Sequence, residues 1–236
     1  MNDGYDKLAQ FYDSFVTKNR NYDEIAKELA EMIGDKKDLL DIGIGTGLIV
    51  EHLLKMNPSY KITGIDTSES LLEQAQKRLG DNVELHCQSV SELESDRTFD
   101  VAYSRGGAWT FVRDRAETML GSHLLNLEDI QKSFNAVAKH LKTGGRLIVS
   151  SSNAYGNNLV ELEDSIVHER TATTEIVNNE RYAILDYRFY KDKELLAKQI
   201  LKLRLLSYNT VTLMLEKAGF VETSIEAEQY YIYEKK

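Results

Sequence analysis

The run Leu39-Leu40-Asp41-Ile42-Gly43-Ile44-Gly45-Thr46-Gly47 constrains this chain more than any other stretch. An apolar strand ends in a carboxylate, and glycine then occupies every second position of a turn. Glycine takes positive φ without strain and lets a ligand or another backbone come close. The helix that follows offers N–H groups with no intrahelical partner. A second apolar segment, 60–65, ends at Asp66, placed to accept hydrogen bonds from ribose hydroxyls. A glycine turn followed by an acidic strand end reads as the nucleoside-binding first half of an α/β sheet.

Which nucleoside follows from the spacing. The dinucleotide fingerprint G-x-G-x-x-G needs glycine at position 48, and the chain has Leu48 there. That disfavours a nicotinamide-linked oxidoreductase. The motif is D-x-G-x-G-x-G, with a carboxylate ahead of the first glycine. A phosphate gains little from that charge, whereas a cationic ligand gains from it. S-adenosylmethionine carries an amino group and a sulfonium and no phosphate. Here the chain resembles the class I S-adenosylmethionine-dependent methyltransferases, whose first motif is usually D-x-G-x-G-x-G.

Length and charge narrow the class. At 236 residues the chain fits one α/β domain with an elaboration. A net charge of −9 gives no basic field to collect nucleic acid or anionic lipid. One cysteine, Cys87, allows no internal disulfide and no cysteine-rich zinc site, which suits a reducing cytoplasm. The acidic, amphipathic first residues do not read as a signal peptide, and no apolar run approaches a membrane span. Pro58 is the only proline and there is no Gly/Ser-rich linker, which argues against loosely tethered domains.

Tyr5, Leu8, Ala9, Tyr12, Phe15 and Val16 recur at helical spacing, and a second helix is expected over 22–33. Strands are expected at 38–42, 60–66, 83–87, 99–103 and 146–150, alternating with helices, which implies a parallel sheet with right-handed crossovers. The period switches to two between about 166 and 206, with turns at Asn178-Asn179 and Lys191-Asp192-Lys193. That reads as an antiparallel three-stranded insert with one apolar face. A helix over 210–218 and two strands, 220–227 and 229–233, close the sheet.

Further segments carry the resemblance. They are Phe99-Asp100-Val101-Ala102-Tyr103-Ser104, the L-x-x-G-G-x-L of 141–147, the L-x-x-A-G-F of 215–220, and the opening Tyr5-Asp6, Ala9, Tyr12-Asp13. The likeness covers the chain almost end to end. It implies a seven-stranded, mostly parallel doubly wound sheet whose last strand is antiparallel. It divides the chain into an N-terminal helical cap (1–34), a cofactor-binding core (35–152 and 208–236) and a three-stranded antiparallel lid insert (153–207). By resemblance, Gly43 and Gly45 pack against S-adenosylmethionine, Asp41 favours its amino group, Asp66 holds the ribose and Thr67 lies along the adenine. Gln88, Ser89 and Val90 take the place after strand three, where the family often has an acidic residue for the adenine amino group; Ser89 departs from that pattern. Ser104 approaches the methionine portion through its backbone, Tyr12 folds over the cofactor, and Arg20 reaches towards the methionine carboxylate.

The small-molecule acceptor is expected beside the segment 105–123, which follows strand four and carries the only tryptophan. Arg105, Trp109 and Phe111 are its candidate residues there, and Tyr155 and Tyr187, with Arg188, are candidates from the insert. His123 is the candidate general base among five histidines because it lies in this segment. In-line methyl transfer needs alignment and exclusion of water rather than a metal or a nucleophilic side chain. Tyr103-Ser104-Arg105-Gly106 is not the D/N-P-P-Y/F of nucleic-acid amino-methyltransferases, and no acidic cluster for a catechol-type metal follows strand four. A protein that binds the cofactor without turning it over is the alternative of a different class. A lid sheet can equally form a homodimer surface.

Overall fold

The structure, a computed structural model, describes residues 8–18, 20–113, 117–153, 155–226 and 229–236. Tyr5 and Asp6 of the opening motif, and Ala227 of an expected strand, lie outside the described residues. In chain order the elements are α1 (Ala9–Thr17), α2 (Tyr22–Ile33), β1 (Asp38–Ile42), α3 (Leu48–Met56), β2 (Lys61–Asp66), α4 (Glu69–Leu79), β3 (Val83–Cys87), β4 (Phe99–Ser104), β5 (Trp109–Arg113), β6 (Thr118–Ser122), α5 (Leu127–His140), β7 (Leu141–Asn153), β8 (Asn158–Glu161), β9 (Ile166–Val177), β10 (Glu180–Lys191), β11 (Glu194–Ser207), α6 (Tyr208–Lys217), β12 (Phe220–Glu226) and β13 (Tyr230–Lys235).

Local chemistry sets the helix boundaries. Asn21 caps α2 by accepting from the Asp23 and Glu24 N–H groups, and Gly34 ends the helix at positive φ. Ser68 caps α4 through the Leu71 N–H at 3.2 Å, and Asn126 caps α5 through Glu128 at 2.8 Å. The turns Asn178-Asn179 and Asp192-Lys193 have positive φ at both residues, the geometry that two-residue hairpins favour.

The fold is α/β with a mixed sheet. Strands β3, β2, β1, β4 and β7 are parallel neighbours, and β13 pairs β7 antiparallel with β12 beyond it. The far end of β7 takes a second partner: Phe111 of β5 pairs Ser151, and the sheet continues through β6, β11, β10, β9 and β8. Thirteen strands result among the described residues. Apolar clusters cover both faces of the parallel strands, around Phe134 and Leu147 on one side and Leu39 and Val50 on the other. A third cluster joins Leu8 to the antiparallel strands through Leu185, Phe189 and Leu203.

Two expectations about elements need correction. The segment 105–123 contains the hairpin β5–β6 instead of a long connection. Between 153 and 207 the described residues form four antiparallel strands, β8 to β11, where three were expected. Strand β8 is short and mostly exposed, so no alternation of apolar and polar residues marks it in the sequence.

The order β3-β2-β1-β4 reverses direction between β1 and β4, and such a switch point opens a crevice at the strands' carboxyl ends. Gly43, at φ +83°, and Gly107 meet there backbone to backbone. A Cβ on Gly107 would lie 2.0 Å from the Ile42 carbonyl oxygen, and one on Gly43 would lie 2.4 Å from the Gly107 Cα. Gly107→Ala is therefore expected to destabilise the protein by about 1–3 kcal/mol or more, because backbone cannot move aside cheaply. Gly106→Ala has open space and costs only the positive-φ strain, about 1–2 kcal/mol. Urea unfolding of both variants checks this; a Gly106 variant as damaged as the Gly107 variant contradicts the contact.

Candidate functional site

Two cavities meet at this crevice. The first, about 150 Å³, is bordered by Gly43 and Gly45 from the turn after β1 and by Asp66 and Thr67 at the end of β2. Gln88, Ser89 and Val90 after β3 close its far side, and Ile65 and Leu71 give it an apolar floor. The second, about 510 Å³, lies under the antiparallel strands and includes Arg20, Arg105, Tyr155, Arg170 and Tyr187. Tyr12, Gly106, Gly107 and His123 border both.

The turn is held from below by its neighbour strand. The N–H groups of Gly43 and Ile44 both donate to the Ile65 carbonyl, at 2.8 and 3.0 Å. Asp66 accepts from the Gly45 N–H at 2.9 Å and from the Ser68 N–H at 3.0 Å, one bond to each carboxylate oxygen. The Asp66 carboxylate borders the cavity, and a carboxylate has about four lone-pair sites in all. Helix α1 is tied over the turn: the Thr46 hydroxyl donates to Asp13 at 2.6 Å, and Arg78 bridges Asp13 and the Thr46 carbonyl. The Tyr12 ring thereby comes within 3.9 Å of the place a Gly45 Cβ would occupy.

Asp41 sits beneath the turn, 2% exposed, and its Oδ2 has no hydrogen-bond partner. Burial pushes its carboxyl up to about 8; the Tyr103 hydroxyl and the Arg105 guanidinium pull down, and the Asp66 charge pushes up. A buried carboxylate without a partner costs several kcal/mol unless it holds a proton or meets a cation. Desolvation lowers the His123 imidazole to about 4, so it is neutral at pH 7. Burial, together with Tyr22 and Asp66, raises the Tyr12 hydroxyl, which stays protonated.

Of the residues picked from the sequence, Tyr12, Gly43, Gly45, Asp66, Thr67, Gln88, Ser89 and Val90 border the first cavity. Arg20, Arg105, Tyr155 and Tyr187 border the second, so Arg20 lies on the acceptor side of the junction. Two corrections follow. Trp109 and Phe111 border neither cavity: both are 0% exposed and pack in the core against Phe134 and Tyr231. Alternation along β5 decides this, turning Thr110 to the second cavity and its aromatic neighbours away. Arg188 is bound to Asp186 within β10 and borders neither cavity. Ser104, expected to act through its backbone, has its hydroxyl bonded to the Trp109 backbone, and Gly106 and Gly107 border the cleft beyond it.

Tyr22, Thr110, Arg170 and Tyr230 were missed. Arg170 sits in an alternating strand, and nothing local distinguishes it from a solvent-facing arginine. The pair Gly106-Gly107 carried a readable signal, since adjacent glycines after a strand mark a close backbone approach.

A methyltransferase-domain family model matches residues 33–219. A malonyl-[acyl-carrier protein] O-methyltransferase of Ilyobacter polytropus is 26% identical over 196 residues, covering 79% of this chain. The chain spans 62% of that relative's length. Among solved structures, DesVI of Streptomyces venezuelae superposes with a TM-score of 0.73 at 18% identity, over 100% of both chains. A SAM-bound amino pentose methyltransferase of Micromonospora echinaspora gives 0.70 at 18% identity over 96% of both. At such identities the likeness is one of fold.

The Asp41 carboxyl sets the sign of a pH effect. Its folded value of about 8 lies above the ordinary carboxylate range, so the folded chain keeps a proton that the unfolded chain releases. Stability of the ligand-free protein therefore falls as pH rises from about 4 through about 8. Asp41→Asn is expected to remove that part of the slope and to raise stability at pH 8. Urea midpoints from pH 5 to 9 test this; parallel curves for variant and wild type would count against it.

Proposed function

The chain belongs to the methyltransferase-domain family, and from that premise we propose that it transfers the methyl group of S-adenosylmethionine to a small-molecule acceptor. The observation that carries the reading is the unpartnered Oδ2 of Asp41 beneath a glycine turn whose neighbouring strand ends at Asp66. An ammonium group over the turn would supply the missing partner, and the Asp66 carboxylate at the cavity border would accept from two vicinal hydroxyls. The apolar floor of Ile65, Leu71 and Val90 suits a purine ring, with Ser89 and Thr67 at its edge.

Bound S-adenosylmethionine supplies a methyl group activated by a sulfonium, whose charge is lost as the new bond forms. The protein's part is to hold donor and acceptor in line and to keep water out, which is worth several kcal/mol of the barrier. Tyr12 roofs the cleft from α1, and Asp13 and Arg78 keep that helix in place. His123, at the junction of the two cavities, is the proposed proton acceptor when the acceptor atom is a hydroxyl or an ammonium; desolvation keeps it in the accepting form at pH 7 and also makes it a weak base. The helices within 1–34 form the cap in this reading. Residues 35–152 and 208–236 form the cofactor core, with the seven strands β3-β2-β1-β4-β7-β13-β12, and 153–207 the lid. The pairings support that division, because among the described residues β8 to β11 join the rest of the sheet through β6, which reaches the far end of β7 through β5.

S-adenosylhomocysteine is expected to raise the melting temperature of the wild-type protein and to bind with micromolar affinity. Asp66→Ala is expected to weaken that binding by about 1–3 kcal/mol, because it removes acceptors for ribose hydroxyls and frees the Gly45 N–H. Calorimetric titration of both proteins is the check, and equal affinities would remove the ribose assignment.

A further inference from the structure

The second cavity has an unusual charge inventory for a chain of net charge −9. Five of the arginines, Arg78, Arg97, Arg181, Arg188 and Arg204, each lie within ion-pair distance of a carboxylate. Arg20, Arg105 and Arg170 make no ion pair among the described residues, and all three border this one space. They come from separate parts of the fold: the α1–α2 connection, the end of β4, and β9 of the lid.

Two of the three guanidiniums, those of Arg105 and Arg170, keep donors for a ligand. The Arg105 Nε is buried without a hydrogen-bond partner, and its guanidinium lies 5.6 Å from the centre of the Tyr22 ring. The Arg170 Nε donates to the Gly156 carbonyl at 3.1 Å, which leaves the terminal nitrogens of its fork towards the cavity and Tyr187. The Thr110 hydroxyl, also buried and unpartnered, borders the same space. Glu24 and Glu28 stand on the α2 wall; Glu28 accepts from the Tyr230 hydroxyl at 3.3 Å, and neither forms an ion pair with the arginines. The carboxylate of one methionine moiety can pair with one arginine, so two cations remain for the acceptor.

We infer that the acceptor is an organic anion, its carboxylate or phosphate group held by Arg170 and Arg105 beneath the lid. The inference rests on the methyl-transfer reading and adds the charge class of the substrate. Guanidinium forks match planar or tetrahedral oxyanions through paired N–H donors, and a desolvated site strengthens each bond. The walls contributed by Tyr22, Tyr155, Tyr187 and Tyr230 add aromatic surface and hydroxyl donors around that anion.

The test is calorimetric titration of the full chain at saturating S-adenosylhomocysteine, with phenylacetate, succinate, phenyl phosphate and the neutral phenylacetamide as probes. At least one anion is expected to bind saturably while the amide does not, and the arm that responds separates carboxylate from phosphate. Arg170→Gln should weaken that anion roughly ten- to a hundredfold, the scale of charge-assisted hydrogen bonds. Arg170→Lys should recover part of the loss, and S-adenosylhomocysteine binding by each variant reports that it is folded. Amide binding equal to the anions, no anion binding by wild type, or undiminished binding by Arg170→Gln overturns the proposal. Failure of S-adenosylhomocysteine itself to bind removes the methyl-transfer reading and this inference with it.

Discussion

The close approach of Gly43 and Gly107 is the contact on which the site depends. It joins the turn after β1 to the loop after β4 across the switch point of the sheet. Side chains at either position would push the two strand ends apart. With both absent, Gly106 and Gly107 stand at the border of the two cavities, and Asp41 is sealed beneath them.

Two aspartates from adjacent strands then take different roles because their surroundings differ. Asp66 is satisfied by two backbone N–H groups and borders the cavity, so it acts as a fixed acceptor. Asp41 has an unpartnered oxygen and a raised pKa, so a positive charge nearby relieves it. On the far side of the junction three arginines that make no ion pair among the described residues border one space, with Glu24 and Glu28 on its α2 wall. The site thus offers a protonated Asp41 where an ammonium is expected, the Asp66 carboxylate where a ribose is expected, and arginines under the antiparallel strands. A neutral His123 lies between the two.

The border of the first cavity was legible because its determinants are local. The glycine turn, Asp41, Asp66 and the residues after β3 each follow directly from a strand end, and alternating strands and helices fix which edge they share. The acceptor half was less legible because it is assembled from distant segments. Arg170 meets Arg105 only through the pairing of β9, β10, β11 and β6, which no local pattern reports. Trp109 and Phe111 misled because composition marks an aromatic-rich segment without saying which face of a strand it presents. Strand parity settled that, and parity was invisible while the segment read as a loop. The hairpins β9–β10 and β10–β11 were readable from Asn178-Asn179 and from the Asp192-Lys193 portion of the second turn, whereas short β8 was not.

The central claim is that the glycine turn presents a buried, protonated Asp41 to the cation of a sulfur nucleoside. Titration of S-adenosylhomocysteine at pH 7 in two buffers of different ionisation enthalpy tests it most directly. An ammonium placed over Asp41 lowers its pKa and drives a proton into solution. The account predicts saturable heats that differ between buffers, with the difference lost in Asp41→Asn. Absence of heat in both buffers, or identical enthalpies for wild type in the two, would contradict it.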